Sequence, residues 1–424
     1  MSLQEKDKQY IWHPFTQMQN AQNILPVVKA EGLYLFAEDG KKIMDAVSSW
    51  WTNVHGHSHP HIAKAINEQF KTLDHVIFAG FTHPKAIELA ERIINKLPFL
   101  DKVFFSDDGS TSVEVAIKMA FQYWYNKKEP KTKIVAFKNA YHGDTFGAMS
   151  VGGRDTFNNP FNPFLFDVEF IDVPTTGNED KVIEQIIDKV QHNDVAAFIF
   201  EPLVQGSAGM VMYSPEVLNQ LVNICRKHKV ITIADEVMTG FGRTGKFFAT
   251  DYITNKPDIV CLSKGLTGGV LPLGLTVCTN EIYNAFLSND HSNTFFHGHS
   301  FTGNALSCAS ACASLDIFEE QNTWNQIEMI VESHKKFAKK LSNHKTFKEI
   351  RQTGTILALE FENGESSYFN NLRDILYHYF LENNILLRPL GNVLYILPPY
   401  CIKQEELAKI YTAIEMFLTN HTNN

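Results

Sequence analysis

The chain has 424 residues, 44% of them hydrophobic and 20% charged, a globular composition long enough for a large core and more than one domain. A formal net charge of −9 argues against a general nucleic-acid or anionic-membrane binder, since both need clustered Lys and Arg. Six cysteines without a CxxC pair fit reduced thiols and a cytoplasmic location.

The opening "MSLQEKDKQY" is polar, with no apolar core or cleavage site, so no secretory signal is expected. Next, "GLYLFAEDGKKIMDAVS" alternates around Asp39-Gly40 and predicts a hairpin. "HGHSHPH" sets His55, His57, His59 and His61 at alternate positions. A metal site is conceivable there, but Pro60 and the lack of Cys, Asp or Glu favour loop histidines. From about 60 to 290, helices alternate with continuous apolar runs such as "KIVAFKN", "AAFIFEP", "VITIADE" and "DIVCLSK". Strands buried on both faces read this way, so an α/β unit with a mostly parallel sheet is expected. The most membrane-like window, Val260 to Cys278, holds Lys264, glycines and Pro272 and reads as core. After about 330 come helix, strand, helix, a hairpin "ILLRPLGNVLYILPP" turning at Gly391-Asn392, and a last helix. The expected division is 1–59 as the N-terminal part of a small domain, 60–300 as a large domain, and 301–424 as the rest of the small one.

Open α/β sheets bind ligands at the carboxyl ends of their strands. Glu201, Asp235 and Lys264 all fall at such ends. An aspartate and a lysine so placed suggest pyridoxal phosphate: the amine forms a Schiff base with its aldehyde and the carboxylate keeps its ring nitrogen protonated. An ordinary ion pair or turn caps are the alternative. In "FFSDDGSTSVEVAIKMAFQYW", Val113, Ile117, Ala120 and Trp124 form one helical stripe, with Gly109 and Ser110 at its start. That start either cradles an anion or is simply capped by Asp108 or Ser110. "GFGRTGKF" nearly matches a P-loop, but Phe247 stands where a hydroxyl should hold Mg²⁺, which leaves nucleotide binding a poor reading.

"IADEVMTGFGRTG" followed by "LSKGLTGG" resembles the signature of the class III aminotransferases, which have pyridoxal-phosphate fold type I. "YIWHPFTQM", "SSWWTNVHGH", "AYHGDTFGAMSVGG", "EPLVQGSAGM", "FFHGHSFTGN" and "LLRPLGNVLYILPP" are similar to the branch that aminates 8-amino-7-oxononanoate in biotin synthesis. The resemblance runs from about residue 10 to 400. It implies a large domain with a mostly parallel sheet flanked by helices and a smaller α+β domain from both termini. It also implies that pyridoxal 5′-phosphate is held by Lys264, Asp235, Gly109 and Ser110, with Tyr141 over a ring face. His299 and Ser300 would come from the partner of a homodimer, with Gly298 beside them on the substrate side; many relatives have Pro and Thr at 299 and 300. Arg388 would receive the substrate carboxylate, and Trp50 and Trp51 would wall its chain. The commoner "WHPYT" opening is here "WHPFT". Phe15 thus leaves two donors in view, S-adenosyl-L-methionine, favoured by the tandem Trp pair, and L-lysine. Another class III ω-amino acid transaminase is the remaining alternative.

Overall fold

The computed structural model describes residues 1–21, 24–154, 157–362 and 371–421. β1 (Val27–Glu31), β2 (Tyr34–Ala37) and β3 (Lys42–Asp45) form an antiparallel meander. Its second turn is the expected one: Gly40 takes φ +85°, a backbone that glycine adopts without strain.

The central sheet contains β4 (Lys102–Ser106), β5 (Lys133–Phe137), β6 (Glu169–Ile171) and β7 (Val195–Phe200). A two-stranded ribbon, β8 (Val204–Gln205) and β9 (Val211–Met212), lies outside it. The sheet is completed by β10 (Ile231–Asp235), β11 (Ile259–Leu262) and β12 (Gly274–Cys278). The strand order is β4-β12-β11-β10-β7-β5-β6, and only β12 runs antiparallel to its neighbours. β7, β10, β11 and β12 are buried at every residue, which explains their unbroken apolar runs. Alternate residues go to opposite faces. Ile134 and Ala136 of β5 join the core under helix Gly109–Asn126, whereas Val135 and Phe137 join the core under helices Glu179–Val190 and Pro215–Lys227.

The C-terminal third adds β13 (Phe347–Thr353), β14 (Ile356–Phe361), β15 (Ile385–Leu386) and β16 (Val393–Ile396). β13, β14 and β16 make one antiparallel sheet. The expected hairpin over 385–397 is only partly there. Gly391 turns the chain with φ +59° and Leu390 bridges Val393, but the two arms then part. β15 pairs in parallel with β3 of the N-terminal meander, while β16 pairs with β14. Pro389 has no N–H to extend a ladder, so the first arm cannot stay paired with the second. Among the described residues no helix is long and apolar enough to cross a membrane.

Candidate functional site

A cavity of about 740 Å³ opens at the carboxyl ends of β7, β10 and β11. Lys264, Asp235, Gly109, Ser110, Tyr141 and Trp51 all line it, so six of the predicted residues meet in one place.

Lys264 stands two residues past β11 with φ +47°, a left-handed backbone that is rare outside glycine. Its Nζ lies 4.9 Å from the centroid of the Trp51 ring. Lys264 is partly buried and lines the cavity. Burial pulls it below the ordinary lysine range; Asp235 and Glu201 oppose this and Arg243 adds to it. A lysine so shifted more readily supplies a free amine.

Asp235 ends β10 and is 5% exposed. Its Oδ2 lies 2.7 Å from Nδ1 of His142, and its Oδ1 accepts from the Val237 N–H at 3.1 Å. His142 Nε2 is buried without a hydrogen-bond partner. Glu201, just past β7, accepts from the Tyr141 N–H at 3.0 Å and the Gly206 N–H at 2.9 Å. Burial pushes its carboxyl up to about 7. The Tyr141 hydroxyl donates to Asp144 at 2.9 Å. Glu236, the neighbour of Asp235, points elsewhere, to Thr239, Ala249 and Thr250, as strand alternation requires.

The cavity is also lined by the start of helix Gly109–Asn126. Asp108 caps it through the Thr111 N–H, leaving the N–H groups of Gly109 and Ser110 at the cavity rim. The Ser110 hydroxyl accepts from the Thr145 N–H at 3.0 Å and pairs with the Thr145 hydroxyl at 2.8 Å. A Cβ on Gly109 would lie 2.6 Å from Val237 Cγ1, and one on Gly143 2.2 Å from Ser110 Oγ, so glycine is needed at both points. A helix start for an anion, a buried carboxylate and an amine on one cavity fit pyridoxal phosphate.

Trp50 and Trp51 face different groups. Trp51 is buried, donates from Nε1 to the Tyr395 hydroxyl at 3.0 Å and floors Lys264. Trp50 is half exposed, with the Arg388 guanidinium 4.5 Å over its ring and the Phe15 ring edge-on at 5.3 Å. Ser48, Ser49, Trp50 and Trp51 carry φ of +50°, +43°, +69° and +73°, a left-handed turn that splays the two indoles. Buried Asp45 holds this turn. It accepts from the Ser49 N–H at 3.0 Å, the Ser49 hydroxyl at 2.7 Å, the Val47 N–H at 3.3 Å and His57 Nε2 at 2.9 Å. Arg243 ties it from below, donating to the carbonyls of Trp51 at 3.1 Å and Pro398 at 2.9 Å.

Gly298, His299 and Ser300 are not among the residues lining this chain's cavity. Gly298 and Ser300 are exposed, and His299 Nε2 lies 3.0 Å from Oδ1 of Asp107 at the cavity rim, in a geometry that does not make a hydrogen bond. The P-loop likeness dissolves: residues 240–248 form turns followed by a short 3₁₀ segment, Ala249–Tyr252, with no helix for a phosphate to meet. The His55 and His59 rings lie edge-on at 6.2 Å, but the four histidines form no cluster that could hold a metal among the described residues. His55 contacts Ser314, His57 contacts Asp45, and His61 contacts Asp316. His142 and Arg243 escaped the sequence reading although both lie in quoted motifs, because a partner across the fold gives each its role.

The family model described as aminotransferase class-III matches residues 16–418. A Synechococcus elongatus protein named adenosylmethionine-8-amino-7-oxononanoate aminotransferase is 46% identical over 414 residues, covering 96% of this chain and 97% of that protein. A Staphylococcus aureus protein of the same name is 38% identical, covering 96% and 94%. The crystal structure of the Methanocaldococcus jannaschii protein of that name superposes with a TM-score of 0.91 at 38% identity, covering 98% of each chain. An omega transaminase of Pseudomonas jessenii in complex with PMP gives 0.93 at 26% identity, covering 100% and 99%. With a match over almost its whole length and a cavity suited to the cofactor, the chain belongs to the class III aminotransferases and is a pyridoxal-phosphate-dependent enzyme.

Proposed function

We propose that this aminotransferase converts 8-amino-7-oxononanoate to 7,8-diaminononanoate in biotin synthesis, with S-adenosyl-L-methionine as amino donor. The observation that carries the reading is the Arg388 guanidinium stacked on Trp50, the sequence neighbour of the Trp51 ring under the Lys264 amine. A cation set on an aromatic ring, one residue along from the tryptophan under the amine, suits a substrate with a carboxylate at one end of an apolar chain and a reacting carbon at the other. The names carried by relatives at 36–46% identity support the same substrate.

When bound, pyridoxal phosphate supplies a carbonyl that takes up the amino group and a ring that accepts an electron pair. The chain's residues do the rest. Gly109 and Ser110 offer helix-start N–H groups to the phosphate. Asp235, held by His142 and the Val237 N–H, would meet the ring nitrogen and keep its proton. Tyr141, which lines the cavity, would cover one ring face. Lys264, its amine pulled down by burial, would move the proton from the donor Cα to the carbonyl carbon of the bound group, and in the second half-reaction from that carbon to the acceptor carbon. Arg388 binds the carboxylate, while Trp50 and Trp51 exclude water along the chain. Substrates enter in turn, so ping-pong kinetics follow. Gly298, His299 and Ser300 serve the cavity of a second copy in a homodimer. The exposed Phe296 and Phe301 beside them, 75% and 62% accessible, support burial against that copy.

L-Lysine is the second donor reading, and Phe15 favours it. Its ring packs on Trp50 and offers no hydroxyl to a donor. One hydrogen bond is worth about 0.5–1.5 kcal/mol net, roughly a tenfold preference at most. The test mixes the pyridoxal form with each donor and follows conversion to the pyridoxamine form, then adds 8-amino-7-oxononanoate. S-adenosyl-L-methionine is expected to convert it and the acceptor to regenerate it. Conversion by lysine alone overturns the donor, and failure of the acceptor to react overturns the substrate.

A further inference from the structure

Helix Ala305–Glu319, "ALSCASACASLDIFE", is rich in small residues from Ala305 to Ser314, and its serines are buried. Ser307, Ser310 and Ser314 follow at spacings of three and four, so they share one helical face. That face lies against the segment that carries Lys264. Ser314 Oγ donates to the Gly265 carbonyl at 3.2 Å, Ser310 Oγ to the Thr267 carbonyl at 2.9 Å, and Ser307 Oγ to the Pro272 carbonyl at 2.9 Å. Two further hydroxyls work inside the segment, Thr267 to the Leu271 carbonyl at 2.6 Å and Ser263 to the Leu273 carbonyl at 2.7 Å. A buried segment without a strand or long helix leaves carbonyls that need donors, and these hydroxyls satisfy them.

His55 stands behind Ser314, with Nε2 3.0 Å from its Oγ and the ring edge-on to Phe318 at 4.6 Å. Ser314 has one proton, and it goes to Gly265. The Nε2 of His55 must then carry the hydrogen that Ser314 accepts, which defines a chain from imidazole to hydroxyl to carbonyl. Burial pushes the imidazole down to about 3, so the ring stays neutral and the chain does not reverse in the physiological range. The segment leaves little slack. A Cβ on Gly268 would lie 2.7 Å from Ile62 Cδ1, and one on Gly269 2.6 Å from the Thr52 backbone.

We propose that Ser310 and Ser314, with His55 behind Ser314, are positioning residues for Lys264: they fix the carbonyls just after it and so hold its left-handed backbone, aiming the amine over Trp51 into the cavity. This rests on the reading of Lys264 as the reacting amine. None of the three residues lines the cavity, so their influence passes through the backbone of residues 264–267.

The test compares Ser314→Ala, Ser310→Ala, His55→Phe and His55→Gln in the full-length enzyme. The rate at which trinitrobenzenesulfonate labels Lys264 is measured after cofactor removal, by peptide mapping, alongside kcat, KM and the melting temperature. Each serine variant is expected to change the Lys264 labelling rate and lower kcat by about two- to tenfold, the range of one lost hydrogen bond. KM should stay within twofold. His55→Phe should match Ser314→Ala, and His55→Gln, which keeps an N–H donor, should recover most of both losses. A fall in melting temperature with labelling and kcat unchanged overturns the proposal, because the serines then only pack. A fall in kcat without a change in labelling overturns it too. Lys264→Ala retaining full turnover would instead overturn the reading of Lys264 itself, whatever the serine variants do.

Discussion

Asp45→Ala tests whether the left-handed turn under the two tryptophans is held by its clasp. A residue forced into the left-handed helical region costs about 1–2 kcal/mol, so Ser48 to Trp51 together store roughly 4–8 kcal/mol of unfavourable backbone energy. Asp45 opposes that cost with three hydrogen bonds into residues 47–49 and a fourth from His57. Hydrogen bonds to a buried carboxylate are worth about 1.5–3 kcal/mol each, so losing two of the four already costs about 3–6 kcal/mol, comparable with the stored strain. The expected outcome is a loss of about 3–6 kcal/mol in urea unfolding and a turn that relaxes. Trp50 would then leave Arg388 and Trp51 would leave Lys264, with KM for 8-amino-7-oxononanoate raised at least tenfold. Burial pushes the Asp45 carboxyl up, but hydrogen bonds from His57 and Ser49 outweigh it, and it lies below its ordinary 3.8. Its contribution is therefore present above the unfolded value and lost as pH falls through the folded one. The gap between the unaltered protein and Asp45→Ala should close in acid below pH 3.8. A stability change under about 1 kcal/mol with KM unchanged would refute the argument, since a clasp must cost at least one net hydrogen bond when cut.

Lys264→Ala should abolish turnover and the visible absorbance of the lysine-bound cofactor while leaving the melting curve of the cofactor-free protein intact; appreciable transamination would remove Lys264 from its role. Arg388→Ala should raise KM for 8-amino-7-oxononanoate by about 10- to 100-fold, the worth of one charge-assisted pair, with the cofactor spectrum unchanged; an unaltered KM in steady-state assays counts against the carboxylate contact. Glu201 has a carboxyl raised from 4.5 to about 7, so the folded protein binds a proton in that window that the unfolded chain does not. Stability from this group is full below about pH 4.5 and lost as pH rises to about 7, and Glu201→Gln should flatten the denaturation midpoint across that interval. An identical slope in both proteins would place the titration elsewhere.

The parts of the fold legible in the sequence were those with local causes. β7, β10 and β11 announce themselves because burial on both faces demands unbroken apolar runs, and Asp235 and Lys264 are visible because charge at the end of such a run needs a reason. The helix start at Gly109 was equally local, and Asp108 caps it as its residue type allows. What stayed hidden depends on distant partners. The 385–397 stretch has hairpin chemistry at Gly391, yet tertiary pairing sends β15 to β3. His142 and Arg243 carry no signal of their own until the fold brings Asp235 to one and the Trp51 carbonyl to the other. The histidine run is the same case, since period two in a loop fixes nothing about what each ring meets.

The pairing of β15 with β3 also sets an order of assembly during synthesis. Ser48 donates to the Leu397 carbonyl and Trp51 to Tyr395, contacts 349 and 344 residues apart along the chain. At about 5–20 residues per second, a ribosome needs roughly 20–70 s to travel that distance. Throughout that interval the nascent segment around Trp50 and Trp51 lacks the strand beside it and the carbonyls beneath it. The central sheet, β4 to β12, emerges complete well before then. The Lys264 end of the cavity can therefore form on the ribosome, whereas the wall supplied by Trp51 closes only when translation has reached the high 390s.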